Sequence, residues 1–106
     1  MRTLELNIND KDYKLELTRE SIKWLEANGF SIQDFDKKPV TYYDLLWQSL
    51  FVANHKEVSA SLALKLLDAY QNSGNKIMPV IKFAIEEYQS FIVALPIRTP
   101  RRRKRA

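Results

Sequence analysis

The stretch that decides the fold is TLELNINDKDYKLEL, residues 3–17. Its apolar residues alternate with polar ones on both sides of a short polar break, and they are Leu4, Leu6, Ile8, Tyr13, Leu15 and Leu17. Alternation with a period of two is typical of a half-buried strand, so the stretch predicts a β-hairpin. With Asp10 and Lys11 as the central turn residues, every apolar residue would face an apolar partner, as Ile8–Tyr13, Leu6–Leu15 and Leu4–Leu17. Because two strands alone are unstable, we expect helices to cover their apolar face.

The segment after the hairpin predicts a first helix and then a single helical turn. Thr18 can cap the helix RESIKWLEAN, and Gly29 stands where a left-handed terminator belongs. Residues 30–39, FSIQDFDKKP, predict one helical turn that Ser31 opens and that ends before Pro39.

Three further apolar-periodic segments predict helices. Thr41 followed by Asp44 resembles a capping box that opens YYDLLWQSLFVAN, and Ser59 can cap a helix whose inner face includes Leu62. After Gly74 the last helix would be capped by Asn75, would hold Pro79 in its first turn, and would continue to about residue 94. Strands followed by separate helices indicate an α+β fold, here a hairpin and a mainly α-helical bundle of about four helices.

Charge is divided unevenly along the chain. The 106 residues include 17 basic and 13 acidic ones, for a net charge of +4. Six of the basic residues lie in the last nine positions: Arg98, Arg101, Arg102, Arg103, Lys104 and Arg105. We therefore predict one domain over residues 1–97 with a net charge of about −2, and a disordered basic tail over 98–106. We do not expect a slightly acidic domain to bind a nucleic-acid duplex.

Residue types that carry chemistry are scarce. The chain has no cysteine, one histidine and two glycines, which excludes thiolate and zinc–cysteine sites and leaves no glycine-rich phosphate loop. We interpret His55 as a surface or capping residue, and Glu86 and Glu87 as the solvated side of the last helix. We therefore expect no enzyme, no cofactor and no metal. No apolar run has the ~18 residues of a membrane span, and the N-terminus is unlike a signal peptide, so we expect a cytoplasmic protein.

The chain also carries more aromatic and apolar residues than one helical stripe can use. Tyr43, Trp47 and Phe51 recur at four-residue spacing beside the leucine stripe of their helix, which is either a central helix covered on several sides or a docking surface. Our candidate partner-binding residues are Tyr43, Trp47, Phe51, Phe83, Phe91 and Val93. Such a surplus suggests self-association or an apolar partner.

Residues 40–92, VTYYDLLWQSLFVANHKEVSASLALKLLDAYQNSGNKIMPVIKFAIEEYQSFI, together with the hairpin, resemble the tail assembly chaperones of long-tailed siphophages and related prophages. The resemblance covers roughly residues 4–93 and rests on the order, length and patterning of the segments. Where family members often have Asn-Gly in the hairpin turn, this chain has Asn9 and Asp10.

The resemblance implies a non-enzymatic role in the host cytoplasm. Such proteins coat the tape measure protein while tail tube subunits polymerise, leave before maturation, and tend to self-associate. They are made in two lengths by a programmed frameshift, so the basic run would be the end of the shorter product. The alternative hypothesis is a small nucleic-acid-binding or regulatory protein that acts through its basic tail.

Overall fold

The computed structural model describes residues 2–93, so the predicted basic tail over 98–106 lies outside the described residues. Two strands come first, β1 (Thr3–Ile8) and β2 (Lys11–Glu16). They are followed by α1 (Arg19–Ala27), a 3₁₀ turn (Ile32–Asp34), α2 (Pro39–Ser49), α3 (Ala60–Asn72) and α4 (Met78–Val93). The predicted α+β fold, a hairpin followed by four helices, is confirmed.

The hairpin has a different register from the predicted one. β1 and β2 are antiparallel, with Leu6 opposite Tyr13 and Leu4 opposite Leu15. The turn residues are Asn9 and Asp10, with φ of 53° and 65°. A two-residue turn of this kind needs positive φ at both positions, which Asn and Asp tolerate better than Lys. The predicted pairing was therefore wrong by two residues, although a slip of two leaves every side chain on its predicted face.

Local signals set the ends of α1 as predicted. The Ser21 N–H donates to Thr18 Oγ1 (3.2 Å) and the Thr18 N–H donates to Ser21 Oγ (3.0 Å), a reciprocal capping box. Gly29 has a φ of 84°, the left-handed conformation of a helix terminator. The predicted helical turn after Ser31 is the 3₁₀ turn.

Helix α2 begins earlier than the sequence predicted. Its first residue is Pro39, and the side chain of Lys38, the capping residue, makes no capping hydrogen bond. The capping box predicted at Thr41 was therefore wrong. Proline suits the first helical position because its missing N–H would have no partner inside the helix and its φ is already helical. The helix contacts α1, α3 and α4, so it is the central element of the bundle.

Helices α3 and α4 follow the prediction with two corrections. Ser59 accepts from the Leu62 N–H (3.1 Å), but the Leu62 side chain is 41% exposed because the inner face holds Ala63, Leu66 and Leu67 instead. Pro79 lies in the first turn of α4 as predicted. Asn75 does not open that helix, since its side chain donates backwards to the Tyr70 carbonyl (3.2 Å).

The apolar face of the hairpin and the inner faces of the helices form one core. Its fully buried side chains include Leu15, Leu17, Leu25, Leu46, Leu50 and Ile81. Within residues 2–93, no helix combines the length and the apolar character needed to cross a membrane.

Candidate functional site

Three of the six candidate partner-binding residues are part of the core. Trp47, Phe51 and Phe83 are 0%, 1% and 9% exposed, so the prediction that they form a docking surface was wrong. The Trp47 indole donates from Nε1 to the Ala63 carbonyl (2.7 Å) and lies 5.4 Å from the Phe51 ring. Since α2 contacts three other helices, its aromatic flank is covered as well as its leucine stripe. This is the covered central helix of the alternative interpretation.

The other candidates are placed differently. Tyr43 and Phe91 are half-buried, and the side chain of Val93 lies outside the described residues. The Arg19 guanidinium lies 5.3 Å from the centre of the Phe91 ring, at a small cleft of about 170 Å³ between α1 and the end of α4. The cation over the ring occupies one of its faces. One face of the Phe91 ring is therefore covered by Arg19.

Tyr43 lies in a larger, mostly apolar groove of about 710 Å³. The residues that line it come from the loop after the 3₁₀ turn, from α2 and from the first nine residues of α4: Phe35, Tyr43, Met78, Pro79, Ile81, Lys82, Ile85 and Glu86. The rings of Phe35 and Tyr43 are 5.5 Å apart. Met78 is 51% exposed, one of the few large apolar side chains of the described residues that is more than half accessible. We name this surface the α2–α4 groove.

An ion-pair cluster lies beside the α2–α4 groove. The Arg2 guanidinium donates to Glu86 (3.1 Å) and to Glu87 (2.8 Å), and the Arg2 N–H donates to Glu87 as well (3.1 Å). Glu87 is 8% exposed, so the prediction that it belongs to the solvated side of α4 was wrong. Burial alone would raise the pKa of the Glu87 carboxyl, but the hydrogen bonds from Arg2 outweigh it and hold that pKa below its ordinary value. The cluster ties the start of the chain to α4.

His55 has a structural position rather than a surface one. Its side chain is 14% exposed, and Nε2 accepts from the backbone N–H of Lys14 (3.0 Å). The imidazole packs edge-on against the ring of Tyr13, with centres 5.1 Å apart. The residue therefore caps a backbone N–H of strand β2 that the hairpin ladder does not use, which agrees with the capping alternative of the prediction. Among residues 2–93, no three His, Asp or Glu side chains are grouped closely enough to hold a metal ion.

The groove was not found by sequence reasoning. Phe35 stands in a short segment of mixed polar and apolar residues, and Met78 and Pro79 precede most of the apolar stripe of α4, so no periodic pattern joins them. The available signal was the surplus of apolar residues around α2, which included Tyr43, a residue that lines the groove.

A protein-family model described as "Domain of unknown function (DUF5055)" matches residues 1–95. The chain belongs to this family. The DUF5055 match contains the hairpin, the four helices and every residue that lines the α2–α4 groove. No curated protein and no solved structure matches the chain. The resemblance to tail assembly chaperones therefore stays a prediction.

Proposed function

We propose that the protein is a tail assembly chaperone of a siphophage or prophage, and that it binds an amphipathic helix of the tape measure protein in the α2–α4 groove. The observation that carries the proposal is this exposed, mostly apolar groove of about 710 Å³. The sequence resemblance supplies the identity of the partner, and the groove supplies the means of binding.

The groove suits a helix better than an extended peptide. An amphipathic helix binds by placing an apolar stripe into an apolar groove, whereas an added strand needs a row of free backbone groups. Here the walls are side chains from α2, α4 and the loop before α2, and the helices use their backbone groups internally. Among the described residues of the lining, Lys82 and Glu86 are charged. Lys82 can pair with an acidic residue beside the stripe of a bound helix, whereas Glu86 already accepts from Arg2.

The same features support a reversible, non-enzymatic role. Apolar contacts in one groove of this size give a binding energy that depends on the area buried, and no covalent or catalytic step is needed. A chaperone that leaves before the tail matures requires such reversible binding. Transient contact with the tail tube protein belongs to the same proposal.

The alternative, a nucleic-acid-binding or regulatory protein, depends on residues 98–106. The described part of the chain gives it no support, since residues 2–93 carry 11 basic and 13 acidic side chains.

The proposal is tested by co-expressing the full chain with the tape measure protein of the same phage or prophage. The wild-type chain should co-purify with it, and Met78→Glu should lower the affinity by about tenfold or more, because a bound apolar stripe would desolvate the new carboxylate. Leu62→Glu is a matched control: Leu62 is also exposed and also lies in the first turn of a helix, but outside the groove. An acidic residue is favourable in both first turns, so both variants should stay folded.

Failure of the wild-type chain to bind the tape measure protein would overturn the proposed function. Equal binding by the two variants would overturn the assignment of the groove.

A further inference from the structure

The two edges of the hairpin differ in how their backbone groups are used. On β2, the Lys14 N–H donates to His55 Nε2 (3.0 Å), and the Lys14 carbonyl accepts from Asn54 Nδ2 (3.3 Å). The Glu16 N–H donates to the carbonyl of Leu50 (3.2 Å). The segment after α2 therefore covers the outer edge of β2.

The opposite edge, on β1, has no such cover among residues 2–93. Lys14 and Glu16 point outward on β2, so their cross-strand partners Glu5 and Thr3 must point outward on β1. The alternation of the ladder adds Asn7 to this outward row. No hydrogen bond within the described residues joins the backbone groups of these three positions, and all three residues are exposed. Within residues 2–93, the three N–H groups and three carbonyls of this row therefore have no hydrogen-bond partner, although helix α3 also contacts β1.

Strand β1 has one of the devices by which proteins protect an open edge, the charged side chain of Glu5, but it lacks the stronger ones. Such edges are commonly blunted by lysine, proline or a bulge. Residues 3–8, TLELNI, contain neither Lys nor Pro, and their pairing with β2 runs one-to-one without a bulge. Leu4 and Leu6 stay half-buried, so their apolar surface is not fully used in the single chain.

We propose that β1 pairs antiparallel with β1 of a second copy of this chain, so that two hairpins form one four-stranded sheet. The strand is self-complementary when the two-fold axis passes through Leu6. Leu6 then faces its own copy and Leu4 faces Ile8 on the apolar side, while Glu5 faces Asn7 on the polar side and these two exchange backbone hydrogen bonds. An axis through Glu5 would instead place two carboxylates opposite each other, which is unfavourable. The resulting contact is isologous and closes at two copies.

This dimer does not depend on the proposed function, because it uses β1 rather than the α2–α4 groove. Sedimentation equilibrium of the full chain over a range of concentrations should give a monomer–dimer equilibrium. Glu5→Pro removes an outward N–H that the hairpin itself does not use. Each copy loses one donor in the contact, so the dimer should weaken roughly 10- to 100-fold.

Glu5→Ala is the matched control, since it removes the same side chain but keeps the N–H. Its dimer should differ from the wild type by only a few-fold, and circular dichroism should show that both variants keep the helices and the cooperative unfolding of the wild type. A chain that stays monomeric up to millimolar concentration would overturn the proposal. A dimer weakened equally by the Pro and Ala variants would overturn it as well.

Amide hydrogen exchange on the wild-type chain tests the same contact without a substitution, and it decides the matter if Glu5→Pro does not fold. The N–H groups of Glu5 and Asn7 should exchange more slowly in concentrated than in dilute protein. Exchange of these two amides that does not depend on protein concentration would contradict β1 pairing.

Discussion

The buried indole of Trp47 offers the sharpest test of the core. Trp47→Phe removes the hydrogen bond to the Ala63 carbonyl and the smaller part of a fused ring that packs beside Phe51 and Tyr70. The hydrogen bond contributes about 1 kcal/mol to the free energy of unfolding. Two lost ring carbons add roughly 1.6 kcal/mol at the usual value per buried carbon group. We therefore expect Trp47→Phe to lower the free energy of unfolding by about 2–3 kcal/mol, and Trp47→Ala by about 3–5 kcal/mol.

Urea denaturation followed by far-ultraviolet circular dichroism measures this change. Fluorescence is less suitable because the chain has only two tryptophans and the substitution removes one of them. A domain of this size has about 5–15 kcal/mol of stability, so Trp47→Phe should remain folded with an unchanged denaturant dependence.

Tyr43→Phe is the control on the same helix. Tyr43 lies one turn before Trp47, is half-buried in the α2–α4 groove, and should lose less than about 0.5 kcal/mol when its hydroxyl is removed. A loss for Trp47→Phe no larger than that of the control would refute the assignment of Trp47 to the core. If the same variant also weakened partner binding, the docking interpretation of Trp47 would be restored.

Three further predictions concern the turn, the ion pair and the histidine. Asp10→Gly should raise the free energy of unfolding by a few tenths of a kcal/mol to ~1 kcal/mol, because position 10 has positive φ. Lys11→Gly should lower it by about 0.5–1 kcal/mol, because position 11 lies within a strand. A lower melting temperature for Asp10→Gly than for Lys11→Gly would contradict the observed register. The pKa of the Glu87 carboxyl is lowered, so its ionised form stabilises the fold. That stabilisation should be fully present above pH 4.5, the ordinary pKa of a glutamate, and should be lost as the pH falls through the lowered pKa. Arg2→Met should move the titration of Glu87 to higher pH, because burial raises the pKa of this carboxyl and fewer hydrogen bonds would then lower it. Carbon-13 NMR of the carboxyl group measures the titration, and an unchanged titration would show that Arg2 does not set this pKa. His55→Phe should keep the packing against Tyr13 but remove the acceptor for the Lys14 N–H. That amide should then exchange faster with solvent, and the free energy of unfolding should fall by about 0.5–1.5 kcal/mol. Unchanged exchange of the Lys14 amide would contradict the capping role.

Features that depend on neighbouring residues were predictable. Thr18 and Ser59 were recognised as caps because a capping side chain bonds to an N–H two or three positions ahead. Gly29 was recognised as a terminator for a similarly local reason, since the left-handed conformation costs glycine little. The failures at Thr41 and Asn75 were also local, because Pro39 begins α2 two residues before Thr41 and Asn75 bonds back to the Tyr70 carbonyl in α3.

Features that depend on distant residues were not predictable in the same way. His55 caps a group 41 positions earlier in the chain, and Glu87 is held by Arg2 from 85 positions away. No spacing or periodicity in the sequence marks such a pair. The α2–α4 groove is of the same kind, since its lining is drawn from three separate segments.

The sequence alone determined two strands, four helices and the inward face of each strand, because these follow from patterns that repeat within a few residues. It did not determine the hairpin register, since a slip of two residues preserves both faces and only the backbone conformation of Asn9 and Asp10 decides between the pairings. Nor did it decide which aromatic side chains are buried. Helix α2 is apolar nearly all round, so its own pattern favours no single face, and the positions of α1, α3 and α4 leave Trp47 and Phe51 in the core and Tyr43 in the groove.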